Sequence, residues 1–466
     1  MTVGVLASCG DTSDTKDGKD SAGDGTVADT GADNQGGNIF ADLSSEFSVV
    51  CADKEEAYFN PIILKLTSAV ASATGVFLNP TTDFTKENVD GGLKTDAKEI
   101  LVGDTNRYES VITACPADSF VIKTEGNKIV IKGATRYYTT VGVLHFIDKL
   151  VGSKESGVLF AVDGNTHITE SPECSAAVYI DLAKKTEVKY DTYTSSGDYD
   201  DFTKSGRTTV KEIALEAKKV MTFDSRADSK GEYTIGGMQG GCSDGEYFYV
   251  LLTNPGDGAK GDKNADETRV IKIDPKTLTV VKEGPIISVA HSNDLTYDSK
   301  RNKLIVPWCS VDNTKVSFID PETLKVTSSS SVSGSAEGIF ALAYNEAENN
   351  FISAESGYAK NGYGMYVFDD RLRFEERFDG VSLGYISQGI FCDSKYIYYA
   401  MSPNSTLSGL KTQNVINVFD WDGKYVCTLT IDLPYEIEHV FWYDNSFWAG
   451  FNSSGTAVLY QLTFKL

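Results

Sequence analysis

The sequence lacks the motifs that most directly identify a function. Its eight cysteines include no Cys-x-x-Cys pair and its four histidines show no metal-ligand spacing, so neither a zinc module nor a compact disulfide framework is indicated. Positive charge is also scarce, because 43 Lys and Arg residues face 66 Asp and Glu residues, for a net charge of −23. This balance disfavours nucleic acids and other polyanions as partners and favours neutral or cationic ligands. No stretch is apolar and long enough to span a bilayer.

The first 38 residues have a composition of their own. Leu-Ala-Ser-Cys-Gly at positions 6–10 resembles the lipobox of bacterial lipoproteins, in which the cysteine is lipidated. Residues 10–38 are almost wholly Gly, Asp, Ser, Thr, Ala and Lys, which bury too little apolar surface to order a chain and suit a flexible tether. The resemblance implies a lipid on Cys9 and a location on the outer face of a bacterial membrane. Most of the other cysteines are expected to be small buried hydrophobes.

Residues 39–165 alternate strand and helix patterns and are predicted to form a small α/β domain. Apolar residues at helical spacing predict a helix over residues 54–74, which Gly75 ends, and a second helix covers residues 138–150. A tight turn at Gly126-Asn127 joins the last two strands. Strands are predicted at residues 47–50, 76–78, 99–102, 120–123 and 128–132.

Two segments of this domain resemble a known module. Glu-Ile-Leu-Val-Gly-Asp-Thr-Asn-Arg at 99–107 and the strand pair within 120–135 are similar to the non-catalytic N-terminal α/β domain of family 20 hexosaminidases and family 67 α-glucuronidases. The likeness spans residues 47–152. In those enzymes the catalytic residues lie in a following barrel, so no catalytic residue carries over and only a polysaccharide-handling context is implied. A generic α/β domain with no link to sugars is the alternative.

Residues 166–213 show little pattern and are interpreted as an irregular linker, and residues 214–466 repeat. Four short apolar strands end at acidic turns marked by Asp274, Asp320, Asp369 and Asp420. Their spacing of about 50 residues is the length of a four-stranded blade. The Asp-Pro-Lys-Thr-Leu and Asp-Pro-Glu-Thr-Leu turns resemble those of YVTN and quinoprotein-like propellers, a likeness that transfers no cofactor. The predicted fold is therefore α+β multidomain, with an α/β accessory domain followed by an all-β, five-bladed propeller.

The repeats also predict how the propeller closes. Five units are visible, and the fifth ends before it can supply a fourth strand. An open blade edge would leave backbone groups unpaired, and residues 220–224 form an alternating strand with no other assignment. We expect that strand to complete the fifth unit. A sixth unit is expected only if residues 177–190 form a further repeat.

Polar residues recur where the inner strands begin. A second set of turn residues follows the first strand of each unit: Asp244, Asp298, Asn345, Asp393 and Asp444. Alignment on these residues places Gln239, Asn293, Gln388 and His439 at one repeat position, and the third unit offers Glu337 or, in a second register, Phe340. Because a closed propeller directs these strand starts toward one opening, we expect a pocket at the channel mouth. The predicted ligand-binding residues are Gln239, His291, Asn293, Asp294, Glu337, Gln388, Glu438 and His439, with Glu436 as a neighbour.

Three interpretations of this ring remain open. The residues could line a wet channel, or they could bind sugar hydroxyls while Trp308 or Trp442 offers an apolar face. They could also do chemistry, with Asp294, Glu337 and His291 as catalytic candidates, or with a divalent metal on His291, Gln388 and His439. No metal is assigned and no cofactor is predicted. The hypothesis is a surface-anchored protein that binds a carbohydrate or cell-wall glycan; the alternatives are a glycoside hydrolase or polysaccharide lyase and a protein-interaction scaffold.

Overall fold

The computed structural model contains an N-terminal α/β sheet and a larger C-terminal set of antiparallel sheets. Among the described helices, none has the length and apolar character that crossing a bilayer requires. Cys9 and Glu337 lie outside the described residues. The structure describes residues 46–465 apart from 85–96, 108–114, 117–118, 126, 152–166, 171–174, 196–201, 232–233, 255–266, 310–312, 335–337, 356–363, 382, 404–406, 408–412 and 454–455.

The N-terminal sheet has the strand order β2-β1-β3-β5-β4-β6. The first four of these strands are parallel, whereas β4 runs antiparallel to both of its neighbours. The predicted α/β pattern is confirmed, except that the strand expected at 76–78 is wrong: those residues connect helix and strand, and the Val76 N–H bonds the Thr74 hydroxyl. The strands are β1 Ser48–Cys51, β2 Asn79–Thr82, β3 Glu99–Val102, β4 Phe120–Glu125, β5 Lys128–Gly133 and β6 His167–Glu170.

Two helices cover one face of this sheet. Helix α1 (Glu56–Thr74) ends at Gly75, whose left-handed backbone at φ 76° costs glycine little. Helix α2 (Arg136–His145) begins after Thr135, whose hydroxyl accepts a bond from the Tyr138 N–H, and continues as a π-helical turn over Phe146–Val151. Alternate residues of the strands pack against the helices, and the others form a small cluster on the opposite face.

A short helix, α3 (Ala176–Leu182), joins the two regions. The ring of Tyr179 stacks on Tyr137 of α2 at 5.1 Å and on Phe464 at 5.4 Å. The opposite side of α3, with Ala176 and Ile180, packs into the core of the C-terminal sheets. The interpretation of residues 166–213 as an irregular linker is therefore wrong, because β6, α3 and most of the β7–β8 hairpin lie there.

The described C-terminal residues form five antiparallel units, each with strands in sequence order. A long hairpin of β7 (Thr186–Ser195) and β8 (Phe202–Thr222) and a small ladder of β9 (Arg226–Ala227) and β10 (Thr234–Ile235) precede them. Unit 1 contains β11 Gly237–Ser243, β12 Phe248–Thr253, β13 Glu267–Asp274 and β14 Thr279–Glu283, with β15 Ile287–Ser288 beside β13. Unit 2 contains β16 Thr296–Asp298, β17 Lys303–Pro307, β18 Lys315–Ile319 and β19 Val326–Ser331.

The remaining three units follow the same order. Unit 3 contains β20 Ile339–Asn345, β21 Asn350–Glu355, β22 Met365–Phe368 and β23 Phe374–Phe378. Unit 4 contains β24 Tyr385–Cys392, β25 Tyr396–Pro403, β26 Asn414–Asp420 and β27 Tyr425–Ile431. Unit 5 contains β28 Glu436–Tyr443, β29 Ser446–Ser453 and β30 Thr456–Phe464. The inner strands contact one another in the cyclic order β11, β16, β20, β24, β28 and back to β11.

Strand β8 supplies the fourth strand of unit 5. Met221 lies opposite Leu459 in an antiparallel ladder, as predicted for residues 220–224. The same strand is longer than expected. Its middle part pairs with β27 in a parallel ladder, where Ile213 lies opposite Leu429. Residues 177–190 hold no further unit, since they contribute α3 and part of β7. One strand thus joins units 4 and 5 and covers an edge that the sequence left open.

Candidate functional site

Four of the five inner strands carry a β-bulge near their start. Register breaks place Gln239, Phe340 and Glu438 in bulges, and another break spans Gln388 and Gly389. In unit 3 the bulge lies at Phe340, which favours Phe340 over Glu337 as the ring residue of this unit. Phe340 lies five residues before Asn345, the same separation that the other ring residues have from their turn residues. A bulge re-aims a side chain and leaves it out of the ladder. Gln239, Phe340 and Gln388 therefore lie in bulges, whereas His439 follows a bulge and Asn293 precedes its strand.

The predicted ring residues converge, but inside the protein. Asn293 and His439 are 2% and 0% exposed, and Asp294, Gln388 and Glu438 are also buried. We call these five residues the axial cluster. They contact one another across units: the Asn293 side-chain amide donates to the Gln388 carbonyl oxygen at 3.1 Å. The described strand starts are therefore packed together, whereas an open polar mouth was expected.

Asp294 joins three units through backbone hydrogen bonds. One carboxylate oxygen accepts from the Leu295 N–H at 2.8 Å and the other from the Ile390 N–H of unit 4 at 3.0 Å. The Leu342 N–H of unit 3 is a third donor. Burial raises the pKa of Asp294 well above its usual value, and the three donors oppose that shift. The carboxylate thus has a structural role.

His439 fills a space left by three glycines. A β-carbon on Gly241, Gly389 or Gly450 would lie 2.2, 2.7 or 2.1 Å from the nearest His439 atom. Neither ring nitrogen has a hydrogen-bond partner among the residues that the structure describes. Burial lowers the pKa of His439 to about 3, so the imidazole is neutral at physiological pH.

A network of amides and carboxylates links unit 5 to its neighbours. Asn452 accepts from the Met238 N–H at 2.8 Å and donates to a Glu438 oxygen at 2.6 Å. Gln388 donates to Glu436 at 2.9 Å. Burial, with the nearby charge of Glu436, raises the pKa of Glu438 well above its usual value. Glu436 is exposed as a residue, yet its carboxyl group lies among protein atoms and its pKa is raised as well.

The other predicted site residues are placed differently. Gln239 is partly buried, and its side-chain oxygen has no hydrogen-bond partner within the described part of the chain. His291 lies close enough to Glu436 to affect that carboxyl group. Trp308 is apart from the cluster, with its indole N–H on Ser317 at 2.9 Å. Among the described residues, no three His, Cys, Asp or Glu side chains converge to hold a metal ion. A metal on His291, Gln388 and His439 stays a prediction, because that set includes a glutamine.

An open cavity lies at the other end of the inner strands. Its volume is about 410 Å³, and every unit contributes to its wall. We call this cavity the basin. Ser175, which precedes α3, also lines it and donates to Asp393 at 2.9 Å. The wall comprises residues 241–245, 295–297, 299, 344, 346–347, 390–394 and 440–442, together with Ser175.

Asp244 and Asp393, in the turns after the inner strands of units 1 and 4, are held in the same way. Asp244 accepts from the Glu246 and Tyr247 N–H groups with one oxygen and from the Tyr249 hydroxyl, at 2.7 Å, with the other. Asp393 is held in the same way: one oxygen accepts from the N–H groups of Lys395 and Tyr396, in its own turn, and the other accepts from the Tyr398 hydroxyl. Each carboxylate is fixed by at least three donors. Such groups present oriented negative charge to the basin.

Sequence reasoning did not identify the basin. Aromatic residues one or two positions before the turn residue were the available signal in units 2 to 5, and among them only Trp442 was named as a ligand contact. Alignment used the turn residues as markers of register and did not treat them as part of a site. The aromatic residues that line the basin are Tyr297, Tyr344, Phe391, Phe441 and Trp442.

Comparison with known proteins finds propeller structures of low sequence identity and low TM-score. No known protein family matches the chain, and no curated protein matches it significantly. Similar solved structures include the glutaminyl cyclase of Myxococcus xanthus (9% identity, 55% of this chain and 100% of that chain, TM-score 0.35) and the Dos1 propeller (11%, 58% and 70%, 0.29). Hydrazine synthase of Kuenenia stuttgartiensis is 14% identical over 47% of this chain and 56% of its own, with a TM-score of 0.30. The chain is thus predominantly β and similar to propeller proteins, and these likenesses carry no functional argument.

Proposed function

We propose that the protein binds a carbohydrate in the basin and that its five units are the blades of one propeller. The cyclic contacts of the inner strands and the shared strand β8 support the propeller. The observation that carries the function is a cavity of about 410 Å³ walled by all five units, with aromatic side chains, hydroxyls and oriented carboxylates. Cavities of this size and mixed character are typical of small-ligand sites.

The chemistry of the wall suits a polyol. Aromatic rings provide flat apolar surfaces, whereas Ser243, Thr296 and Ser394 provide hydroxyls. Asp244 and Asp393 are already held by neighbouring donors, so their free acceptor capacity is directed and costs little further ordering on binding. A sugar ring presents both an apolar face and hydroxyl donors.

The rest of the chain supports the same context. The N-terminal sheet, with the segments that resemble the accessory domain of glycan-cleaving enzymes, contacts unit 5 through α3. A lipid on Cys9 would hold the protein at the outer face of a bacterial membrane, where cell-wall and environmental glycans are found. Binding without cleavage is favoured because Asp294, the described member of the proposed catalytic pair, is enclosed by backbone N–H groups.

The test is a glycan array with the full chain carrying Cys9→Ser, followed by calorimetry and product analysis. Ser394→Trp, which places an indole in the basin, is expected to abolish binding. Ser330→Trp is the matched control on the exposed strand β19 and is expected to bind as the parent does. Loss of binding in both variants, or in neither, contradicts the proposed site, and release of shortened glycans contradicts a function of binding alone.

A further inference from the structure

The basin has an unbalanced charge. Asp244, Glu346 and Asp393 come from units 1, 3 and 4, so three of the five units contribute a carboxylate to the lining. The described residues that line the basin include neither Lys nor Arg. The chain as a whole carries −23, which adds to the same potential. An anionic sugar would enter this field at a cost, and a cationic group would be attracted.

The aromatic wall strengthens the preference. Tyr297, Tyr344, Phe391, Phe441 and Trp442 come from units 2 to 5. Aromatic faces attract ammonium groups through their quadrupole, most strongly where water is excluded. Carboxylates at the rim with aromatic rings along the wall combine the two interactions that recognise an amine.

We propose that the basin selects saccharides that carry a free amino group, such as unacetylated glucosamine oligomers, over N-acetylated, neutral and acidic ones. The inference rests on the proposed function, since it names the ligand class of the same cavity. Glu346 is the informative residue. It is exposed, and the described bond that it accepts comes from the Ser299 hydroxyl at 2.8 Å, so its charge can be removed with little structural change.

Glu348 provides a matched control. It lies two residues away in the same turn, is exposed, and does not line the basin. Glu346→Gln and Glu348→Gln change the net charge of the chain equally. A preference that arises from the overall charge would respond to both substitutions, and one that arises from the basin would respond to Glu346→Gln alone.

The experiment is calorimetry of the full chain with Cys9→Ser against three tetrasaccharides: glucosamine, N-acetylglucosamine and galacturonic acid. We expect the glucosamine tetramer to bind most tightly, with the advantage reduced in 1 M salt. Glu346→Gln should weaken its binding about threefold, in the range of an exposed charge pair, and Glu348→Gln should leave it unchanged.

The outcomes separate the two claims. Equal or tighter binding of the acetylated or acidic tetramer, abolished by Ser394→Trp, overturns the amine preference and leaves the basin as a glycan site. Equal weakening by Glu346→Gln and Glu348→Gln also overturns it, because the effect would then be that of net charge. Binding of the glucosamine tetramer that survives Ser394→Trp overturns the site itself.

Discussion

The two ends of the inner strands differ in what their polar residues do. At the start of the strands, Asn293, Asp294 and His439 are buried and bond or pack across units. At the far end, Asp244 and Asp393 are held by their own turns and face an open basin. Recurrence of polar residues in a repeat therefore has two sources. One closes the ring, and the other leaves room for a ligand.

The largest expected effect comes from breaking the Asp294 contacts. Asp294→Ala leaves three buried N–H groups without an acceptor, and each costs about 1–3 kcal/mol, so the free energy of unfolding should fall by about 4 kcal/mol. Asp294→Asn keeps one acceptor oxygen and should lose roughly half as much. Urea unfolding monitored by fluorescence measures both. Asp422→Ala, at an exposed turn, is the control, and equal losses in Asp294→Ala and Asp422→Ala would refute the role given to the axial cluster.

The next effect concerns the glycines around His439. Gly241→Ala puts a methyl group 2.2 Å from the His439 ring, which its other neighbours hold in place, and should destabilise the protein by about 1–3 kcal/mol. Gly237→Ala lies in the same strand, where the nearest atom is an ordinary 3.4 Å away. The difference between the two variants in urea unfolding isolates the overlap. Similar values for both would show that the imidazole moves freely.

The third effect is a pH dependence carried by His439. Its pKa is about 3 in the folded protein and about 6.5 in the unfolded chain, so the unfolded chain gains the proton first on acidification. Its stability contribution is present above pH 6.5 and is lost as the pH falls; by pH 5 the loss is about 2 kcal/mol. His439→Phe should remove this loss.

The control for this prediction is to subtract the unfolding free energy of His439→Phe from that of the wild type at each pH. The raised pKa values of Asp294, Glu436 and Glu438 act in the opposite direction, because folding hinders their ionisation and that cost falls as acid protonates them. These groups are present in both proteins, so the difference in unfolding free energy between wild type and His439→Phe reports His439. A difference that does not change between pH 7.5 and 5 would contradict its neutral, buried state.

Some elements of the fold could be predicted from the sequence, and others could not. Strands β3, β4 and β5 followed from alternation, and the placement of residues 220–224 as the fourth strand of unit 5 followed from an unfilled edge. These are local or topological signals. The strand placed at 76–78 was displaced because Gly75 and the residues after it are needed to leave the helix. Helix α3 was missed since its seven residues are buried on two sides and lack a single apolar stripe.

The sequence predicted part of the site. Alignment on turn residues brought Gln239, Asn293, Gln388 and His439 to one position because the repeat fixes each residue's direction around the ring. It did not fix their depth, which depends on the bulges and on Gly241 and Gly450, whose missing side chains leave room for the His439 imidazole. Burial decides whether a polar residue binds its neighbours or a ligand, and burial depends on contacts between units.

A crystal structure of the full chain with a bound tetrasaccharide is the most direct test of whether the basin is the binding site. We expect the sugar to occupy the basin, in contact with residues near the turns, such as Tyr297, Tyr344 and Glu346. A sugar at the opposite end of the inner strands, against His291 and Glu436, would contradict this expectation and would restore the strand starts as the binding site.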